Sequence, residues 1–330
     1  MRAKVALIAG GDSGEYEISL NSAESVMSHL DKEKYDVFFI HMKGVDWHCE
    51  YEGQHIAVDK NDFSVIINDE KIIFDAAFIV IHGTPGEDGK LQGYLDMVGV
   101  PYTSSNVATS ALTFNKYFTK QFATALGVVG SKTLFFSRDS SPNVDEIVES
   151  VGLPCFVKPN KGGSSVGISK VNVKEDIHQA IELAFAEDDE ILIEENISGV
   201  ELGCGVYKVD GKIVSLPITE IVSKTDFFDY VAKYEGLSDE ITPARISEKE
   251  TEECQRLSRY LYKEYNCKGI VRFDYILSDN KFYFLEVNTI PGFSKASIIP
   301  QQLREAGIAE EYVYDKILTE IISNKPTCHS

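Results

Sequence analysis

Short runs of consecutive apolar residues, each closed by glycine or a polar cluster, mark the first third of the chain. Val5 to Ala9, ended by Gly10-Gly11, reads as a strand buried on both faces. Tyr35 to Ile40 and Ala76 to Ile81 read the same way. Between the first two, Leu20, Ala23, Met27 and Leu30 recur at spacings of three and four, which predicts a helix with one apolar face. Strand, helix and strand in alternation predict an α/β unit with a Rossmann-like, mostly parallel sheet over residues 1–105.

The pattern then changes. Ala108 to Leu126 reads as helix, stopped by Gly127. Phe156 to Lys158 and Val166 to Val171 read as strands around a Gly/Ser loop, and Lys174 to Ala186 reads as helix. These form a central unit over 106–193. From Ile191 on, antiparallel structure is expected, so the C-terminal half, 194–330, reads as α+β. Leu202 to Val209 and Lys212 to Ile218 flank Asp210-Gly211, a hairpin turn signal. Residues 223–244 are polar and aperiodic and read as one long loop, a length usually tied to function or disorder. Ser247 and Glu250 form a capping box that opens a helix with Cys254, Leu257, Leu261 and Tyr265 on one face. The last eight residues read as a loose tail.

Composition narrows the function. The 330 residues are 43% hydrophobic and 25% charged, ordinary for a folded protein. With 32 Lys+Arg against 52 Asp+Glu the chain carries −20, so nucleic acid and anionic membrane are expected to be repelled. No apolar stretch is long enough for membrane insertion, and no secretory leader is legible. None of the six cysteines forms a C-x-x-C pair; reduced, buried thiols and a cytoplasmic location are expected.

Strand parity yields the first candidate chemistry. Gly269 to Leu277 and Lys281 to Asn288 read as a hairpin around Asp279-Asn280. Side chains alternate, so Arg272 shares a face with Asp274, and Glu286 with Asn288. Pairing brings Asp274 within about one residue of Glu286. Val271, Phe273, Tyr275, Leu285 and Val287 suit a core on the other face. Ile270, Ile276, Phe282 and Phe284 flank the charges. Two acids and an amide beside an arginine are all-oxygen donors, suited to Mg²⁺ rather than zinc, the alternative being a surface salt-bridge ladder. The run from Val157 to Gly167 holds Lys158 and a glycine-rich loop whose N–H groups could meet phosphate. It lacks the P-loop order and is followed by a strand, so it reads either as a hairpin over a nucleotide or as an ordinary turn. Glu15 falls at a helix start, where a carboxylate can simply complement the dipole. His82-Gly…Gly-Glu-Asp-Gly89 follows a strand end, where α/β folds bind ligands, and His82 alone could equally be structural.

In order, these segments resemble the ATP-grasp superfamily, and more closely the D-alanine–D-alanine ligase family. The likeness runs from Gly10-Gly11 to Ser297. Its pieces are Gly10 to Leu20, His82 to Gly89, Leu91-Gln-Gly93, Pro101-Tyr-Thr103, Val157-Lys-Pro159 with Gly163 to Gly167, Ala232-Lys-Tyr234, Arg272-Phe-Asp274 and Glu286 to Gly292. The resemblance implies an ATP-grasp fold closing on ATP and two D-alanines, ligation through a D-alanyl phosphate for peptidoglycan precursors, and a homodimer. It implies that Lys116, Lys158, Gly163 and Ser165 meet the phosphates, and that Glu194 and Glu201 serve the adenine and ribose. It assigns two Mg²⁺ ions, with Mn²⁺ as a substitute, to Asp274, Glu286 and Asn288. Glu15, Ser164 and Tyr234 would hold the first D-alanine, and Lys233 with Tyr234 would belong to a lid. His82 would serve substrate binding, and Ser297 would grip the second carboxylate. Arg272 and the Gly292 N–H would face the oxyanion. The Lys-Tyr pair implies an amine nucleophile and little D-alanyl-D-lactate. Asn115, Ile290 and Ala296 depart from the residues usual in the family at those places.

Overall fold

The computed structural model describes residues 2–163, 166–223 and 238–324. The first parallel sheet forms as its apolar runs require. Strand β1 (Ala3–Gly10) lies between β2 (Tyr35–Lys43) and β7 (Ala76–Ile79), parallel to both. Val5 to Ala9 are fully buried, as a strand covered on both faces must be. The sheet then departs from the expected pattern. β3 (Asp46–Tyr51) and β4 (Gln54–Ala57) add antiparallel to the β2 edge, giving the order β4-β3-β2-β1-β7. A separate hairpin joins β5 (Ser64–Ile67) to β6 (Glu70–Ile73).

Helix α1 (Tyr16–His29) buries Ala23 and Val26, and also Ser19 and Ser22. Apolar periodicity passes over those serines. Ser19 Oγ accepts from Gly10 N–H and donates to Val80 O, so both ends of the serine are satisfied beneath the helix. Next comes α2 (Lys90–Val98). The expected single helix at 108–126 is two, α3 (Val107–Phe114) and α4 (Lys116–Ala125). Asn115 is extended between them, and its side chain accepts from Phe118 N–H as the cap of α4. The chain therefore turns immediately before Lys116.

The central antiparallel sheet has the order β10-β9-β11-β8. Its strands are β8 (Thr133–Ser137), β9 (Cys155–Pro159), β10 (Ser169–Val171) and β11 (Glu190–Glu195). Helices α5 (Val144–Val151) and α6 (Ile177–Glu187) supply Ile147, Val151, Ile177 and Ala184 to its core.

The third sheet runs β15-β14-β12-β16-β17, with β13 beside β12. Its members are β12 (Val200–Val209), β13 (Lys212–Ser215), β14 (Thr219–Ser223), β15 (Ser238–Ile241), β16 (Ile270–Ser278) and β17 (Lys281–Asn288). Asp210 and Gly211 turn the first hairpin with φ of 48° and 76°, and Asp279 and Asn280 the last with 49° and 59°. Part of the stretch read as a loop, 223–244, is strand: β15 pairs antiparallel with β14. Residues 224–237 of that stretch lie outside the described residues. Helix α7 (Glu248–Glu264) starts at the predicted capping box and buries Cys254, Leu261 and Tyr262.

Two C-terminal helices, α8 (Ile298–Glu305) and α9 (Glu310–Ser323), complete the described chain. Tyr314 of α9 stacks edge-on against Phe78 of β7 and against Phe293. The first core is thus shared between the N-terminal sheet and the C-terminal helices. No helix among the described residues is long and apolar enough to cross a membrane.

Candidate functional site

The hairpin β16–β17 sets Arg272 opposite Asn288 and Asp274 opposite Glu286, within the one-residue margin that parity predicts for the two acids. A register shift after Asp274 places Tyr275 across from Phe284. This bulge changes which face the aromatic residues occupy. Phe282 and Phe284 belong to the core with Phe273 and Val287 instead of flanking the charges. Asp274, only 4% exposed, receives Arg272 Nε and a terminal guanidinium nitrogen on its two oxygens, both at 2.7 Å. Asn288 Nδ2 adds a third bond at 2.9 Å. Burial opposes the Arg272 charge, yet the Asp274 carboxylate beside it raises the guanidinium pKa further still. A Cβ on Gly203 would lie 3.3 Å from both Arg272 Cδ and Asp274 Oδ1, so glycine keeps β12 close to the pair. Glu201, two residues earlier on that strand, shares the face.

Lysines from two elements reach the same region. Lys116 begins α4, where its N–H donates to Asn160 O and Tyr117 N–H donates to Asn160 Oδ1. Its ammonium donates to Gly162 O at 2.8 Å and lies 3.3 Å from Glu286 Oε2. Lys158, on β9, lies 2.8 Å from Glu194 Oε2 on β11. The other Glu194 oxygen takes Lys120 at 2.5 Å, and Lys120 also donates to Ser131 Oγ. Burial alone would raise the Glu194 carboxyl, but Lys120 and Lys158 hold it at about 2. Lys120, buried and beside the Lys158 charge, is lowered to about 8 despite Glu194. Lys120 is not legible as a site residue, because a lysine on a helix ordinarily reads as part of the solvated face. Its spacing of four from Lys116, on one helix face, was the available signal.

The N-terminal sheet contributes a third side. Glu15, 9% exposed, sits at the start of α1, and its N–H donates to Ser13 Oγ. A Cβ on Gly163 would lie 2.8 Å from Glu15 Oε2, so the glycine-rich loop between β9 and β10 approaches this carboxylate. His82 is buried, its Nδ1 at 2.8 Å from Ile290 O and its Nε2 at 3.1 Å from Ser22 Oγ. The carbonyl can only accept, so Nδ1 carries the proton and Ser22 donates to Nε2. Ser22 Oγ in turn accepts from Phe293 N–H. Glu87, half-buried, accepts from Gly83 and Ile290 N–H, and burial together with the Glu15 and Glu286 charges raises it to about 7 despite those bonds. The 290–293 segment is thereby fastened to the N-terminal sheet. Within it, a Cβ on Gly292 would lie 2.5 Å from Ser297 Oγ, which brings those two predicted residues together. Ser164, Ser165, Lys233 and Tyr234 lie outside the described residues.

Asp274, Glu286 and Asn288 offer carboxylate and amide oxygens on one sheet face, a donor set that suits a hard divalent cation. No cluster of three or more His, Cys, Asp and Glu side chains fit to hold a metal occurs among the described residues. The set therefore depends on the asparagine amide.

Comparison with known proteins covers almost the whole chain. Residues 4–105 match the family model described as D-ala D-ala ligase N-terminus, and 125–323 the one described as D-ala D-ala ligase C-terminus. A Bacteroides fragilis protein named D-alanine–D-alanine ligase is 46% identical over 327 residues, covering 98% of this chain and 100% of its own. A Flavobacterium johnsoniae protein of the same name is 47% identical, covering 94% and 96%. Among solved structures, D-alanyl-alanine synthetase A of Vibrio cholerae superposes with a TM-score of 0.88 at 29% identity, covering 98% and 99%. The VanG D-Ala:D-Ser ligase of Enterococcus faecalis gives 0.86 at 32%, covering 98% and 100%.

Proposed function

Because the chain belongs to the D-alanine–D-alanine ligase family, we propose that the region where its three larger sheets meet is the active site for joining two D-alanine molecules at the expense of ATP. The product is D-alanyl-D-alanine for peptidoglycan precursors, with ADP and phosphate released, and the fold is ATP-grasp. The observation that carries the site is the convergence of Lys116, Lys158, Arg272, Asp274 and Glu286 with Glu15 and the 290–293 segment.

The roles follow from the chemistry of each group. A D-alanine carboxylate oxygen attacks the γ-phosphorus of ATP, the bond to ADP breaks, and a D-alanyl phosphate forms. Lys116 and Lys158 offset charge on the transferring phosphoryl group, and Gly163 lets the loop backbone approach it, a role that Ser165, outside the described residues, would share. Glu194, which pairs with Lys158, serves the adenine side, and Glu201 serves the ribose. Asp274, Glu286 and Asn288 would hold two Mg²⁺ ions, replaceable by Mn²⁺, which would neutralise phosphate charge. Glu15, with Ser164 and Tyr234, holds the first D-alanine, while Lys233 belongs to the lid. The amine of a second D-alanine, its carboxylate at Ser297, then attacks the acyl carbon, and phosphate leaves as the amide forms. Arg272 uses two of its five donors on Asp274, leaving three N–H groups that, with the Gly292 N–H, stabilise the tetrahedral oxyanion. His82 serves substrate binding through the Ile290 carbonyl it holds. The enzyme works as a cytoplasmic homodimer without nucleic acid.

The Asp274→Asn variant tests the site. It keeps the shape but weakens both the cation donors and the Arg272 fork, so turnover falls by about a hundredfold or more. Turnover within about threefold of wild type would place the chemistry elsewhere.

A further inference from the structure

One buried carboxylate here serves two ammonium groups. The side chains of Lys120, Glu194 and Lys158 are 4%, 5% and 13% exposed, and the three together carry one net positive charge. Ser131 Oγ adds bonds to Lys120 and, at 3.3 Å, to Glu194, while Thr133 Oγ1 meets Glu194 Oε1 at 3.4 Å. A single lysine would satisfy the carboxylate, so the second cation needs a reason. Lys158 is the more exposed of the two and the one placed on the strand leading into the glycine-rich loop. If Lys158 were the only partner of Glu194, turning toward a phosphate would strand a buried carboxylate, at the cost typical of breaking such a pair.

We propose that Lys120 is a positioning residue that holds Glu194 and so frees Lys158 to engage the phosphates of ATP. The idea rests on the phosphate role given to Lys158 above. Lys120 does not touch the nucleotide in this scheme; it remains on Glu194 and Ser131 while Lys158 exchanges one anion for another. Its lowered basicity fits the same picture, since it is the surplus cation of the trio while Lys158 is on Glu194 and the sole cationic partner of Glu194 once Lys158 has moved.

The test is Mg-ATP binding by calorimetry at pH 7 for Lys120→Met, Lys120→Arg, Lys158→Met, Glu194→Gln and the double variant Lys120→Met/Glu194→Gln. Lys120→Met leaves Lys158 as the only cationic partner of Glu194, and ATP affinity falls by about tenfold or more. Lys120→Arg recovers part of that loss. The double variant, read against Glu194→Gln alone, discriminates: with Glu194 neutral Lys158 is already released, so adding Lys120→Met costs less than about threefold. A purely structural Lys120 costs as much in that background as in the wild type. Wild-type affinity in Lys120→Met, or an equal loss from Lys120→Met in both backgrounds, overturns the proposal. Should Lys120→Met fail to fold, the double variant must bind within about threefold of Glu194→Gln, and weaker binding overturns the proposal. Undiminished binding in Lys158→Met shows instead that the phosphate assignment itself is wrong.

Discussion

Replacing Arg272 by lysine keeps a positive charge beside Asp274 and removes the geometry. In the native site the guanidinium spans both carboxylate oxygens at 2.7 Å. A lysine ammonium can satisfy one oxygen well, and Asn288 still donates to the other. Losing one charge-assisted bond in a buried pair costs about 1–3 kcal/mol of stability, which a protein of this size survives. The catalytic cost is larger. The guanidinium plane that offers spare donors to the oxyanion is gone, and removing one such donor costs about a hundred- to a thousandfold in turnover, or about 3–4 kcal/mol. The assay is steady-state ADP release with D-alanine and Mg-ATP, beside a urea titration of the same preparation. The expected result is a kcat lower by about a hundredfold or more, a KM for ATP changed by less than about threefold, and cooperative unfolding. A kcat within about threefold of wild type in a folded variant would refute the oxyanion role. A kcat loss matched by a similar rise in the KM for ATP would move Arg272 into nucleotide binding.

Two further outcomes follow from the geometry. Ser22→Ala removes the hydroxyl that donates to His82 Nε2 and accepts from Phe293 N–H. Stability should fall by about 1–3 kcal/mol in urea titration, and an unchanged midpoint would remove Ser22 from the fastening of the 290–293 segment. His41, His48 and His55 stack across β2, β3 and β4 with centroids 5.0 and 4.3 Å apart. Burial first, then the neighbouring His48 and His55, lower the His41 pKa against the opposing pull of Glu50. The unfolded chain therefore binds a proton that the folded chain resists, and stability falls as pH drops below about 6.5 toward the lowered folded value. His41→Gln should flatten the urea midpoint's pH slope in that window, and an unaltered slope would exclude His41 as its source.

Much of the site was legible because strand parity and turn chemistry are local. Asp279-Asn280 sets the turn of β16–β17, and period-two alternation then puts Arg272, Asp274, Glu286 and Asn288 on one face. The bulge at Leu285 was not legible, since alternation has no marker for one extra residue, and so Phe282 and Phe284 were placed on the wrong face. Asn115 breaks a continuous apolar period by capping α4, and Asn160, just past β9, takes the N–H groups of Lys116 and Tyr117 at the same helix start. The antiparallel strands β3 and β4 and the hairpin β5–β6 carry mixed, short patterns whose pairing is decided by neighbours. Ser22, Glu87 and Lys120 matter through partners far along the chain, 60, 203 and 74 residues away. No local period reports such contacts.

The most direct test of the central claim is the product formed from D-alanine and Mg-ATP, with ADP measured enzymatically and the dipeptide identified by mass. L-Alanine, D-serine and D-lactate beside D-alanine complete the panel. The account predicts ADP and D-alanyl-D-alanine in equal amounts from D-alanine alone, with little D-alanyl-D-lactate at neutral pH. ATP turnover without D-alanyl-D-alanine, or no turnover in protein that binds ATP, would contradict it.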